Sequence, residues 1–251
     1  MTNKTEKIKS STEFVKYVSD FKAKNETLGN NSELLFRGQG VDKPLLPKIA
    51  RLNLRINKDK IAKTEKLILK EFKRGILPLS EFRPENNWDL LALAQHHGLP
   101  TRLLDWTFNA LAAMWFAVQS EPKKDDDGKL MNGVVWVLAA NVDDFRTNTD
   151  KTDPLSNKIT KIFRSTVVSR RISAQSGVFT VHKINDKGKM YQFETVSNFK
   201  DKLTKLIIPH ENFANIRSEL NILGVNNFTI FPDLDGFCRH LTWRFAKKTD
   251  E

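Results

Sequence analysis

The run Leu93-Ala94-Gln95-His96-His97-Gly98-Leu99-Pro100-Thr101-Arg102-Leu103-Leu104-Asp105-Trp106-Thr107 crowds His, Arg, Asp and Trp around a Gly-x-Pro break. An ordinary core does not need that density of polar groups. Pro100 lacks a backbone donor and biases its predecessor away from helix, so with Gly98 it ends the apolar helix that runs through Trp88, Leu91 and Ala92. A polar elbow is expected over 96–107. A second helix then begins near Thr107, with Leu111, Trp115 and Val118 at helical spacing and Ala112, Ala113 and Phe116 filling its other side. A helix apolar on nearly all sides is normally buried, so the elbow at its entrance is anchored to the core.

The chain has 251 residues, of which 39% are hydrophobic, enough for one sizeable core. It contains no apolar run of membrane-spanning length, and Met1-Thr2-Asn3-Lys4-Thr5-Glu6-Lys7 has no signal-peptide core. A soluble, cytoplasmic protein that does not engage a membrane is expected. The single cysteine, Cys238, excludes an internal disulfide and a multi-cysteine zinc site, in keeping with a reducing compartment. No metal site is expected. A net charge of +11 raises the local concentration of polyanions, which makes nucleic acid or a phosphorylated cofactor a natural ligand; solvated lysine is the competing explanation.

Along the chain, Ser10-Ser11-Thr12-Glu13 reads as a capping box before a helix faced by Phe14, Tyr17, Val18 and Phe21. Leu34-Leu35-Phe36 reads as a short buried strand delivering Arg37 to a glycine turn. A helix is expected over 61–73, a charged loop over 121–132, and a strand over 133–138 from its β-branched content. Residues 146–158 read as an exposed loop, and 178–182, 190–196 and 204–208 as strands. Phe213, Ile216, Leu220 and Leu223 trace a helical stripe closed by Gly224 as a left-handed cap.

Four polar clusters lie beside turns or strand ends, where a scaffold can hold functional groups in contact with solvent. The first is Phe36-Arg37-Gly38, whose arginine can clamp a phosphate bidentately or form an ion pair with Asp105. In the elbow, His96 and His97 point about 100° apart on a helix, so at most one faces a site. Either can instead cap a carbonyl. Arg102 and Asp105 can hold a pyrophosphate or pair with each other. The third cluster carries Arg171, Gln175 and Phe179, as a ligand wall or a plain turn. The fourth is Phe231-Pro232-Asp233-Leu234-Asp235-Gly236, whose acids are a catalytic carboxylate and its neighbour or an Asx turn capping the last helix.

Together these four clusters resemble the bacterial FRG domain, named for the first of them. The resemblance runs over about residues 10–240 and implies a single compact α+β domain over 10–245, with a small mixed, mostly antiparallel sheet flanked by helices. Residues 1–9 would be a flexible N-terminal tail and 246–251 a C-terminal tail. The layout is also similar to that of ADP-ribosyltransferases, which split NAD. By that similarity Arg37 ends the first core strand, Thr101 and the 111–118 helix occupy the second position, and Glu194, Asp233 or Asp235 supplies the carboxylate. The chain lacks the Ser-Thr-Ser run and the Glu-x-Glu of that pattern. The resemblance implies NAD as substrate, with Arg37 and Arg102 on its pyrophosphate, Trp106 or Phe179 on nicotinamide, and Gly38, His96, Thr101, Asp105, Arg171 and Gln175 completing the binding site. Catalysis would fall to Asp233, Asp235, Glu194 and His97. It further implies a toxin or phage-defence effector acting on nucleic acid or protein, with an antitoxin or defence-system partner; the alternative is a non-catalytic module that senses a nucleotide or binds nucleic acid.

Overall fold

A computed structural model of the chain describes residues 5–27, 29, 32–55, 61–80, 82–147, 152–165 and 177–251. Among the described residues, seven strands form one open sheet in the order β1-β7-β4-β2-β3-β6-β5. They are β1 (Thr5–Lys7), β2 (Glu33–Gln39), β3 (Leu103–Thr107), β4 (Gly133–Ala140), β5 (Lys161–Phe163), β6 (Gly177–Val181) and β7 (Leu203–Ile208). Only the edge pair β1–β7 is parallel, so the sheet is mixed and mostly antiparallel, as expected. The helices among the described residues are α1 (Ser11–Thr27), α2 (Lys48–Arg51), α3 (Ile61–Gly75), α4 (Asn87–His96), α5 (Ala110–Val118), α6 (Phe213–Ile222), α7 (Asn227–Ile230) and α8 (Leu234–Phe245).

Strand alternation sends β2 and β4 side chains to two different cores. Phe36, Val135 and Val137 pack with Leu206 and Ile208 beneath α1, α5 and α6. On the opposite face Leu35, Trp106, Trp136, Leu138 and Val178 are covered by irregular chain carrying Leu45, Phe193 and Phe199. A third cluster joins α3 and α4 to Phe163, Phe179 and Val181. Helix α5 lies almost on the sheet backbone: a Cβ added at Gly38 would sit 1.8 Å from the Ala113 carbonyl oxygen, and one at Gly133 2.8 Å from that of Ala117. Glycine at 38 is thus required by packing.

Several expectations hold. Ser10 Oγ accepts from Glu13 N at 3.1 Å and opens α1; α3, α6 and the strands β4, β6 and β7 lie where their patterns place them, whereas β2 does not end before Arg37 but runs on through Gly38 and Gln39, expected as a turn, all three paired with β4. Others need correction. The 103–107 part of the elbow is β3, an interior strand paired with β2 and β6, and the helix after it starts only at Ala110, where Asn109 Oδ1 caps Ala112 N. No strand forms over 190–196, where Phe193–Thr195 is a single 3-10 turn. Of the loop expected at 146–158, Pro154 and Asn157 are buried, the proline carbonyl bonded by Arg102. The expected N-terminal tail contains β1 and the buried Ile8, and the C-terminal tail is tied down through Thr249 to Glu121 and Asp250 to Arg217. Among the described residues no helix is long and apolar enough to cross a membrane.

Candidate functional site

Strand β2 pairs with β4 along its whole length but meets β3 at a single register position, Phe36 opposite Thr107. Beyond that point the two strands part. Arg37 reaches across the opening, its Nη1 donating to the Asp105 carbonyl oxygen at 2.7 Å, and so satisfies a β3 carbonyl that the diverging β2 backbone does not. The opening is the floor of a cleft of about 380 Å³, walled by Gln95 and His96 at the end of α4, by Gly177, Val178 and Phe179 of β6, and by Phe116 and Phe231.

The local sequence explains how this geometry is held. Helix α4 ends with Gly98 at φ +79°, a left-handed conformation that glycine adopts freely, and Leu99 N returns to the Ala94 carbonyl. The chain then folds back so that Thr101 Oγ1 donates to Gln95 Oε1 at 2.7 Å while accepting from Leu103 N. With its carbonyl occupied, Gln95 presents its amide to Asp105, Nε2 lying 3.0 and 3.1 Å from the two carboxylate oxygens. Asp105 is therefore aimed by Gln95 at the mouth of the cleft, 3.6 Å from Arg37 Nη1.

Arg37 is the electrostatic centre. Its side chain is 16% exposed, whereas that of Asp105 is 56% exposed. Burial pushes the guanidinium below its ordinary value; Asp105 opposes that shift and Arg51 adds to it. Arginine remains a cation regardless. Among the described residues its buried Nε has no hydrogen-bond partner. A single contact with a half-solvated carboxylate is a weak ion pair, so the cation retains unspent capacity for an anion.

Beneath Arg37 the floor is neutral. Trp106 Nε1 donates to Thr180 Oγ1 at 3.1 Å, and that hydroxyl lies 3.0 Å from His182 Nε2. Burial, then repulsion from Arg37 and Arg102, pushes the His182 imidazole down to about 3. A histidine whose folded value lies below its unfolded one loses stability as pH falls from about 6.5 towards 3, because only the unfolded chain takes up the proton. The expected slope is about 1.4 kcal/mol per pH unit in that window. Denaturant titrations at pH 7 and pH 5 should therefore show a steeper loss for the natural protein than for His182→Gln, and equal losses would contradict a buried neutral imidazole.

The cleft gathers Arg37, Gly38, His96, Asp105, Trp106 and Phe179 of the expected site. It excludes others. Thr101 is fully buried, its hydroxyl bonded to Gln95 and to the Leu103 amide. Arg102, expected on a pyrophosphate or on Asp105, instead makes a buried pair with Glu65, with Nη2 and Nε 2.7 and 2.8 Å from one carboxylate oxygen. His97 is the exposed C-cap residue of α4. Glu194 accepts from Leu45 N, at 3.1 and 3.3 Å to its two oxygens, away from the cleft. Asp233 is the N-cap of α8, its Oδ1 taking the Gly236 amide at 2.7 Å, and Asp235 is exposed in the first turn of that helix. Arg171 and Gln175 lie outside the described residues. Sequence reasoning had not chosen Gln95, Phe116 or Phe231 as site residues, although Gln95 and Phe231 stand inside the motifs it singled out. Among the described residues no group of three or more His, Cys, Asp or Glu could hold a metal ion.

Residues 32–126, from β2 through α5 and into the following loop, match the family model of the FRG domain. This span supplies Arg37, Gln95, His96, Asp105 and Phe116 of the cleft. No curated protein and no solved structure matches the chain.

Proposed function

We propose that the FRG region of this chain forms the floor of a nucleotide-binding cleft, in which Arg37 takes a phosphate and aromatic side chains take a base. The observation that carries the reading is a mostly buried arginine, balanced only by the half-exposed carboxylate of Asp105, among the residues that line an aromatic-walled cleft. Phosphate suits it because the planar fork matches an oxyanion bidentately, and Phe179, Phe116 and Phe231 supply ring faces and edges for stacking. The net charge of +11 favours arrival of a polyanion from any direction. NAD meets both demands. A ligand series tests this: NAD and ADP-ribose should bind, while nicotinamide riboside and adenosine, which share the rings but lack phosphate, should bind at least ten-fold more weakly. Equal affinities across the series would remove phosphate recognition, and with it the role given to Arg37.

A second reading, ADP-ribosyl transfer from NAD or its hydrolysis, is favoured by one observation, the half-exposed carboxylate of Asp105 held by Gln95 at the cleft. Cleaving the nicotinamide–ribose bond leaves positive charge on the ribose, and a fixed carboxylate nearby stabilises that charge as it develops. This moves the catalytic assignment from Asp233, Asp235 and Glu194 to Asp105. Nicotinamide release by the natural protein, lost in Asp105→Asn with nucleotide binding retained, is the expected result. Binding without release, with nucleic-acid and protein acceptors supplied, leaves the cleft as a sensor. In either case the acceptor or effector partner meets a basic surface, and an antitoxin or defence-system protein would have to present acidic groups to it.

A further inference from the structure

The last long helix wears its apolar stripe outward. On α8, Leu234, Cys238, Leu241 and Phe245 follow spacings of four, three and four residues, with Phe237 beside them, and so fall within about 100° of helix surface. Leu234 is 75% exposed, Phe237 40% and Phe245 82%. Phe228, 46% exposed, extends the patch, its ring 5.4 Å from that of Phe237. The opposite side of α8 is the one that packs: Gly236 lies against the Phe231 backbone, Arg239 sits over the Phe231 ring, and Trp243 lines a small cavity together with Trp115. Residues after the helix do not fold back over the stripe, because Thr249 and Asp250 are bound to Glu121 and Arg217.

We propose that this stripe pairs with its own copy, two α8 helices meeting antiparallel across a two-fold axis between residues 239 and 240. The four-three-four spacing is that of the seam of a coiled coil, which fits another helix rather than a flat surface. In this register Leu234 meets the second copy's Phe245, and Cys238 its Leu241. The flanks agree: Arg244 falls beside the second copy's Phe237, a cation against a ring, and Asp235 beside its Thr242, so no like charges oppose one another. A covered Phe removes about 150–250 Å² from water, so two Phe and two Leu bury several hundred Å² per copy, below the roughly 800 Å² of a standard interface. The dimer is therefore weak and dissociates on dilution. Because Phe231 is both packed by α8 and part of the cleft wall, pairing also braces one side of the cleft.

The test uses the chain's single cysteine. Helix axes 8–10 Å apart, seam Cα atoms about 2.3 Å in from each axis and a three-residue stagger place the two Cys238 Cα atoms about 6–8 Å apart, at the edge of disulfide reach. A bis-maleimide of about that reach should give a covalent dimer of the full chain, in step with concentration-dependent sedimentation. Phe245→Asp, a change at an exposed position that leaves the core intact, should abolish both. A monomer at every concentration, a cross-link that survives Phe245→Asp, or a stripe that binds anionic lipid vesicles while the protein stays monomeric would each overturn the proposal.

Discussion

Glu65→Ala is expected to cost about 3–5 kcal/mol, enough to leave a domain of ordinary stability marginal at room temperature. Glu65 is fully buried on α3, and its carboxylate takes both the backbone amide and the guanidinium of Arg102, where the chain enters β3. Arg102 also bonds the carbonyls of Pro154 and Leu155, so one side chain joins α3, the start of β3 and the 154–156 turn. Deleting the carboxylate leaves a buried cation and an unpaired amide. The double variant Glu65→Ala, Arg102→Met should recover part of the loss, because it removes the stranded charge, although the smaller pair leaves a cavity. Chemical denaturation of the natural protein and the two variants reads this directly. A double variant no more stable than Glu65→Ala would show that the pair contributes through packing alone.

Gly38→Ala should be at least as damaging, by about 3 kcal/mol or more, and is expected to abolish soluble expression. The added carbon would fall 1.8 Å from the carbonyl oxygen of Ala113 and close to Ala117 N, both backbone atoms with no rotamer to change. Relief requires α5 to lift off β2, exposing Phe36, Ala113 and Ala117. Gly40→Ala is the control. There the new carbon meets nothing closer than 3.8 Å, so stability should change by less than about 0.5 kcal/mol. Similar losses in both variants would mean that α5 is not seated on the sheet as described.

The parts of the fold written in local pattern were legible in the sequence. Phe213, Ile216 and Leu220 repeat at helical spacing and face the core of α6; β4 is a β-branched run flanked by a loop; Ser10 and Glu13 mark the start of α1. Strand β3 was not legible. Its five residues are apolar save Asp105 and Thr107, and all but Asp105 are buried, a pattern without period, and the Arg, Asp and Trp around it suggested a polar turn. The Arg102–Glu65 pair was invisible because its members stand thirty-seven residues apart and only the α3–β3 packing brings them together. The acids failed for a different reason. Asp233 obeys the N-cap pattern, accepting from the amide three residues on, and Glu194 was assigned from a strand that is a single turn. Of the two readings of Arg37, the structure contains the contact with Asp105, through its carbonyl and its carboxylate, and the phosphate is the part that is proposed.

The claim on which this account rests is that Arg37 receives a phosphate at the parting of β2 and β3. Calorimetric titration of NAD into the natural protein and into Arg37→Lys tests it most directly, with circular dichroism confirming that both are folded. Lysine keeps the charge but cannot make the planar two-point contact, so affinity should fall ten-fold or more, about 1.4 kcal/mol, at an unchanged fold. Equal affinity in the two proteins, or no heat with the natural protein for NAD and ADP-ribose alike, would contradict the nucleotide cleft.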